Sequence, residues 1–101
     1  MRLVQLLLPL YDNEKRPFAR EDLDRVRAEL TERFGGVTAF RRSPAEGVWK
    51  DGAEVSRDEI IIFEVMVGRL DRAWWAEYRA DLEKRFRQEE LIVRASETEQ
   101  L

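Results

Sequence analysis

The sequence predicts an α+β domain in which a four-stranded antiparallel sheet carries two helices on one face. Three observations support this fold class. Two stretches have apolar residues at spacings of three and four, which is typical of amphipathic helices. Short aliphatic runs precede and follow them, as buried strands would. The segments come in the order strand, helix, strand, strand, helix, strand.

The first strand is predicted at residues 2–10, where apolar side chains occupy both alternating sets of positions. A strand that is apolar on both faces is covered on both. The runs "IIIFEVMV" and "LIV" further along the chain share this property. Whichever face the helices cover, apolar residues remain on the other. We therefore expect a homodimer formed through the sheet face, since monomers rarely expose large apolar patches.

The first helix is predicted from about Ala19 to Phe34, and Gly35-Gly36 ends it. The residue after the last helical turn often takes a left-handed conformation, which costs glycine little. These glycines follow a helix, whereas a phosphate-cradling loop precedes one. The second helix is predicted to begin at Asp71, which would cap its free N–H groups.

A hairpin is predicted between the two helices. The run "VTAFRR" forms its first strand, Pro44 interrupts that strand, and Asp51-Gly52 forms a two-residue turn. This turn would place Phe40 opposite Phe63 unless the excursion around Pro44 shifts the register.

A short last strand is predicted within residues 87–95. One domain would then span residues 1–96, and residues 97–101 would form a flexible tail. The order βαββαβ is that of ferredoxin-like folds.

Composition excludes several kinds of chemistry. The 101 residues include no cysteine and no histidine, which removes thiol nucleophiles, imidazole bases and thiolate or imidazole metal sites. The 18 basic residues are dispersed among 21 acidic ones, so no clustered positive surface for nucleic acid is expected. No run is long enough to span a membrane. We predict a cytoplasmic protein without a metal or cofactor.

Glu64 is the first candidate for chemistry, because it interrupts the apolar run "IIIFEVMV". Burying an unpaired carboxylate costs several kcal/mol. One interpretation is a carboxylate in a pocket with a raised pKa, which could act as an acid-base group. The other is an ion pair with an arginine of a neighbouring strand or of a partner chain.

A second set of candidates lies at strand ends or around the hairpin. Tyr11 could be an acid-base group, and Arg42, Trp49 and Arg57 could bind a flat, anionic ligand. The simpler interpretation is that these residues lie at the rim and cover apolar surface.

Two adjacent tryptophans occur in the second helix, at Trp74 and Trp75. Successive residues of a helix point about 100° apart, so the two rings are not expected to face each other. One is predicted in the core and the other at the edge of the sheet.

Several short motifs resemble a group of small, uncharacterised bacterial proteins. They are "ERFGGVTAF", then "GVW" closely followed by "DG", a long apolar strand, and "YRADLEKRFRQEEL". The resemblance rests on these short pieces and extends over about residues 3–95. The resemblance implies the dimeric α/β-barrel type of ferredoxin-like fold, with no established activity. The wider superfamily includes cofactor-free monooxygenases and haem-binding enzymes, and a haem role there commonly relies on histidine. Some relatives carry a secretion or lipoprotein signal, whereas residues 2–10 of this sequence are predicted to form a strand and not a signal.

Two functional hypotheses follow. The first is a non-enzymatic module that binds a small apolar or anionic ligand, or a protein, as a homodimer. The alternative is a cofactor-free, monooxygenase-like enzyme that acts on an aromatic or conjugated small molecule in an apolar pocket. An enzyme needs a cavity with convergent polar groups, whereas a binding surface does not.

Overall fold

The computed structural model describes residues 1–42 and 59–101. Their elements follow the predicted order, which confirms the α+β, ferredoxin-like fold. The bounds are β1 (Arg2–Pro9), α1 (Arg20–Phe34), β2 (Thr38–Arg42), β3 (Ile60–Val67), α2 (Arg72–Arg85) and β4 (Ile92–Glu97).

The four strands form one sheet in the order β2-β3-β1-β4, with every neighbouring pair antiparallel. Strand β1 therefore lies inside the sheet and pairs with β3 on one side and with β4 on the other. Its residue Gln5 is opposite Glu64 in β3 and opposite Arg94 in β4. Strands β2 and β4 form the two edges.

Alternation along the strands separates two faces of the sheet. The residues that pack with the helices form one hydrophobic core on the helix side, and both helices contribute to it. Its fully buried members include Val4, Leu6, Leu8, Val26, Leu30, Phe63, Leu82 and Phe86. We call the opposite side the open face, because neither helix covers it.

The helix ends follow the sequence signals. Gly35 adopts φ 81°, in the left-handed region, and its N–H bonds to the carbonyl of Thr31. At the start of α2, the side chain of Asp71 accepts a hydrogen bond from the backbone N–H of Trp74. No helix among the described residues is both long and apolar enough to cross a membrane.

The register and the last strand differ from the simplest expectations. Phe40 is opposite Ile62, one residue from the position that an uninterrupted hairpin would give. Strand β4 continues through Glu97, and the N–H of Thr98 bonds to the carbonyl of Met1. The predicted Asp51-Gly52 turn lies outside the described residues.

Candidate functional site

A row of polar side chains crosses the open face at the middle of the sheet. One residue of each strand contributes, and consecutive members are register partners. The row, from β2 to β4, is Thr38, Glu64, Gln5 and Arg94. We call it the polar row.

Hydrogen bonds connect three members of the polar row. The Gln5 side chain donates from Nε2 to Oε1 of Glu64 at 2.6 Å and accepts at Oε1 from Nε of Arg94 at 2.7 Å. The amide of Gln5 thus uses a donor and the acceptor to join an anion to a cation. Because Arg94 fixes the amide, the amide in turn fixes one carboxylate oxygen of Glu64.

Apolar residues flank the polar row on both sides. One neighbouring row places Leu7 beside Ile62 and Phe40, and the other places Leu3 beside Met66. Ile62 is 1% exposed, whereas Phe40 is 40% and Met66 45% exposed. The carboxylate of Glu64 therefore lies half-buried within apolar surroundings, where a charge or hydrogen bond acts more strongly than in open water.

The arrangement bears on the two interpretations of Glu64. Within residues 1–42 and 59–101, no arginine or lysine nitrogen lies within 4.0 Å of its carboxylate. Gln5 of β1 stands between Glu64 of β3 and Arg94 of β4, so the link from Glu64 to an arginine is indirect and reaches past the neighbouring strand. An ion pair with a partner chain stays a prediction.

The other predicted residues do not gather around Glu64. Arg42 ends β2 on the open face, four residues away from Thr38 along the strand. Tyr11 lies on the helix side, in a separate groove of about 440 Å³ that Arg41 also lines. Trp49 and Arg57 lie outside the described residues. The binding and catalytic roles of all these residues remain predictions.

Gln5 and Arg94 are members of the row that the sequence analysis missed. A signal for Gln5 was present, because it interrupts "LVQLLLPL" as Glu64 interrupts "IIIFEVMV". Two polar residues that each interrupt an apolar strand are candidates for a cross-strand pair. Arg94 gave no comparable signal, since it follows "LIV" at the edge of a short strand.

A second polar cluster lies between the two helices and is not part of the open face. Arg85 donates from both terminal nitrogens to Glu29, and the Tyr78 hydroxyl donates to Glu29 Oε1 at 3.0 Å. The hydrogen bond from Arg85 lowers the pKa of Glu29. Burial raises the pKa of Tyr78, and the hydrogen bond to Glu29 adds to this. The Tyr78 phenol therefore stays protonated and the Glu29 carboxylate stays ionised. Their hydrogen bond stabilises the packing of the two helices and does not form an acid-base pair.

The described residues contain no group of three or more acidic, histidine or cysteine side chains that could hold a metal ion. The chemistry available at the polar row is therefore that of a carboxylate, an amide and a guanidinium. These groups can accept from or donate to a small polar molecule, and the flanking rows can pack against its apolar parts.

No protein-family model matches the chain, and no curated protein sequence matches it. Two solved structures share its fold. One is a phage SAM lyase in complex with S-methyl-5'-thioadenosine, with a TM-score of 0.59 and 17% identity over 95% of this chain and 80% of that one. The other is a phage SAM lyase in the apo state, with a TM-score of 0.58 and 18% identity over 94% and 78%.

These comparisons correct the functional prediction. Both structural neighbours are enzymes, so the prediction of a non-enzymatic binding module is wrong. The alternative prediction, an enzyme acting on a small molecule, agrees better with these two structural neighbours, although they are lyases and not monooxygenases. The small α+β fold implied by the sequence resemblance is confirmed, while membership of that uncharacterised family has no support from a family model.

Proposed function

We propose that the chain is an enzyme of the SAM lyase kind, which binds S-adenosylmethionine at the polar row and releases S-methyl-5'-thioadenosine. The observation that carries the proposal is the Glu64 carboxylate, held by Gln5 at the centre of the open face. It lies in a fold shared over 95% of the chain with a lyase that binds this nucleoside.

The residues around Glu64 suit the parts of such a substrate. Its adenine ring is flat and would pack against apolar side chains such as Phe40 and Leu7. Its ribose hydroxyls and α-ammonium are hydrogen-bond donors, and Glu64 Oε2 is a carboxylate acceptor that Gln5 does not use. Binding the α-ammonium next to a carboxylate is favourable in apolar surroundings.

The reaction itself limits where Glu64 can act. When the bond between sulfur and the amino-acid chain breaks, its electron pair goes to sulfur and the sulfonium charge disappears. The freed carbon bonds to the substrate's own carboxylate oxygen, or the neighbouring carbon gives a proton to water and forms a double bond. A carboxylate against the sulfonium would stabilise the substrate more than the transition state. We therefore assign Glu64 to the α-ammonium and not to the sulfonium.

The test is to incubate the protein with S-adenosylmethionine and to measure S-methyl-5'-thioadenosine by chromatography. We expect product with the parent chain, a loss of about 100-fold or more with Glu64→Gln, and little change with Glu77→Gln on the exposed side of α2. Calorimetry with S-methyl-5'-thioadenosine gives a second measurement. This product has no α-ammonium, so Glu64→Gln should leave its affinity nearly unchanged. Absence of product from the folded parent chain rejects the lyase activity.

We also propose that the enzyme is a cytoplasmic homodimer formed through the open face, the dimeric α/β-barrel arrangement. Support comes from large apolar side chains on that face, of which Phe40 is 40%, Met66 45% and Ile92 53% exposed. A two-fold pairing of these faces would cover them and would enclose Glu64 between the two chains.

A further inference from the structure

A groove of about 340 Å³ lies between α2 and the strands β1 and β4. Four arginines line it: Arg2 from β1, Arg72 and Arg79 from α2, and Arg94 from β4, although Nε of Arg94 donates to Gln5 on the open face. We call it the arginine groove. Its walls between the arginines are apolar and include Leu70, Trp75 and Val93.

The spacing along α2 explains why two arginines point into the same groove. Arg72 and Arg79 are seven residues apart, which is close to two helical turns, and Ala76 lies between them on the same stripe. The methyl group of Ala76 leaves room where a longer side chain would fill the groove. The groove is therefore lined by both Arg72 and Arg79, with Ala76 between them.

The arginines of this groove are poorly neutralised. No acidic residue is among the described residues that line it. Arg2 approaches Glu97 at 3.5 Å, but Glu97 is 81% exposed, so this ion pair is weak. Among the described residues, no carboxylate lies within 4.0 Å of Arg72 or Arg79. Such a cluster is unexpected in a chain with a net charge of −3.

We propose that the arginine groove binds a small molecule that carries a phosphate group on an apolar body. Guanidinium groups present paired N–H donors that match the oxygens of a phosphate. The apolar wall formed by Leu70, Trp75 and Val93 would contact the rest of the molecule. Arg94 belongs to both places, but the proposed phosphate contacts are Arg72 and Arg79 of α2, on the helix side of the sheet, so this proposal does not depend on the function proposed at Glu64.

Phenyl phosphate and inorganic phosphate are the probes for this proposal. Binding to the full chain is measured by calorimetry and by the shifts of backbone amide signals in two-dimensional NMR. We expect phenyl phosphate to bind more tightly than inorganic phosphate, because only the former contacts the apolar wall. The shifted amides should cluster at residues 70–79 and 93–95.

Matched variants locate the site. Arg72→Gln combined with Arg79→Gln should weaken phenyl phosphate binding by about tenfold or more. The control removes the same charge elsewhere, through Lys15→Gln and Lys84→Gln, and should change the affinity less than about twofold. Arg79→Lys keeps the charge but loses the planar donor pair, and should give an intermediate affinity. Melting curves confirm that each variant is folded.

Three results would overturn the proposal. The first is equal affinity of the parent chain and the double arginine variant. The second is an equal loss in the lysine control, which would indicate only an effect of net charge. The third is binding of a short DNA duplex without binding of phenyl phosphate, which would make the groove part of a nucleic-acid surface.

Discussion

Arg85 and Glu29 form a bidentate ion pair that joins the two helices. Nη1 of Arg85 lies 2.6 Å from Oε1 of Glu29, and Nη2 lies 2.8 Å from Oε2. Arg85 also contacts Asp81 in its own helix at 2.6 Å. Because Tyr78 bonds to the same carboxylate, one acidic side chain of α1 receives two donor residues of α2.

Arg85→Ala should destabilise the fold by about 1–2 kcal/mol. The Arg85 side chain is only 19% exposed and that of Glu29 32%. Removal of Arg85 therefore leaves the half-buried Glu29 carboxylate with the Tyr78 hydroxyl and the more distant Arg25. Arg25→Ala is the matched control, since Arg25 approaches Glu29 only at 3.7 Å and is 64% exposed. It should cost less than about 0.5 kcal/mol. Urea denaturation of the three proteins measures both values, and equal stability of Arg85→Ala and the parent chain would show that the ion pair contributes nothing.

The Glu29 ion pair should also make stability depend on pH. The pKa of Glu29 is lowered in the folded state from its ordinary value of 4.5, chiefly by the hydrogen bond from Arg85. Its contribution is therefore complete above the unfolded pKa and is lost as the pH falls through the folded pKa. We expect the stability difference between the parent chain and Glu29→Gln to shrink as the pH is lowered through the acid range below 4.5. A difference that stays constant over that range would contradict the lowered pKa.

Gly35→Ala should destabilise the fold by about 1 kcal/mol, because Gly35 has φ 81°. Gly36→Ala is a matched control with the same change in composition. An added Cβ meets nothing within 4 Å at either position, and only Gly35 has a positive φ. Thermal melts should separate the two variants. Equal melting temperatures would mean that the left-handed conformation of Gly35 does not limit stability.

A double-mutant cycle tests the bond between Gln5 and Glu64. Gln5→Leu alone should cost about 1–2 kcal/mol, because the half-buried Glu64 carboxylate loses the donor that contacts it at 2.6 Å. The double variant Gln5→Leu with Glu64→Leu should recover most of that loss, since the half-buried carboxylate is then absent and the exposed Arg94, which also loses Gln5, can bond to water. Additive effects in denaturant unfolding would exclude a coupling between the two side chains.

The proposed dimer predicts a mass of about 24 kDa by light scattering, twice the 12.0 kDa of one chain. Ile92→Asp places a charge on the open face, where Ile92 is 53% exposed, and should shift the mass to that of a monomer. Ala80→Asp adds the same charge on the exposed side of α2 and should leave the mass unchanged. A parent chain that stays at one-chain mass at micromolar concentration rejects the dimer.

Local signals explain why the order of the elements could be predicted from the sequence. Apolar periodicity located α1 and α2, and the glycine at position 35 and the aspartate at position 71 marked a helix end and a helix start. These signals depend on residues close together in sequence, so they can be recognised without knowing the tertiary structure.

The register between β2 and β3 depends on more than local signals. A hairpin centred on Asp51-Gly52 sets Phe40 opposite Phe63, but the observed partner is Ile62. A one-residue change in register moves a side chain to the other face of the sheet. The prediction allowed for such a shift around Pro44, but could not give its size.

Helix periodicity also underestimated the contacts of Trp74. Backbone directions about 100° apart suggested that Trp74 and Trp75 would not face each other. The rings nevertheless meet edge to face, with centroids 4.8 Å apart, and Trp74 also stacks on Tyr78 at 4.8 Å. Large aromatic side chains reach beyond the direction of their Cα–Cβ bonds, so contacts between them depend on rotamers that the sequence does not specify.

The polar row has a consequence for the order of events during folding. Gln5 and Glu64 are 59 residues apart in the sequence, and Gln5 and Arg94 are 89 residues apart. The ion pairs and turns within each helix connect residues a few positions apart, and such contacts form early because little chain entropy is lost. The row needs the first strand and the last strand side by side. During synthesis, an unfinished chain can form its helices but not this row, so the site at Glu64 matures only after the last strand joins the sheet.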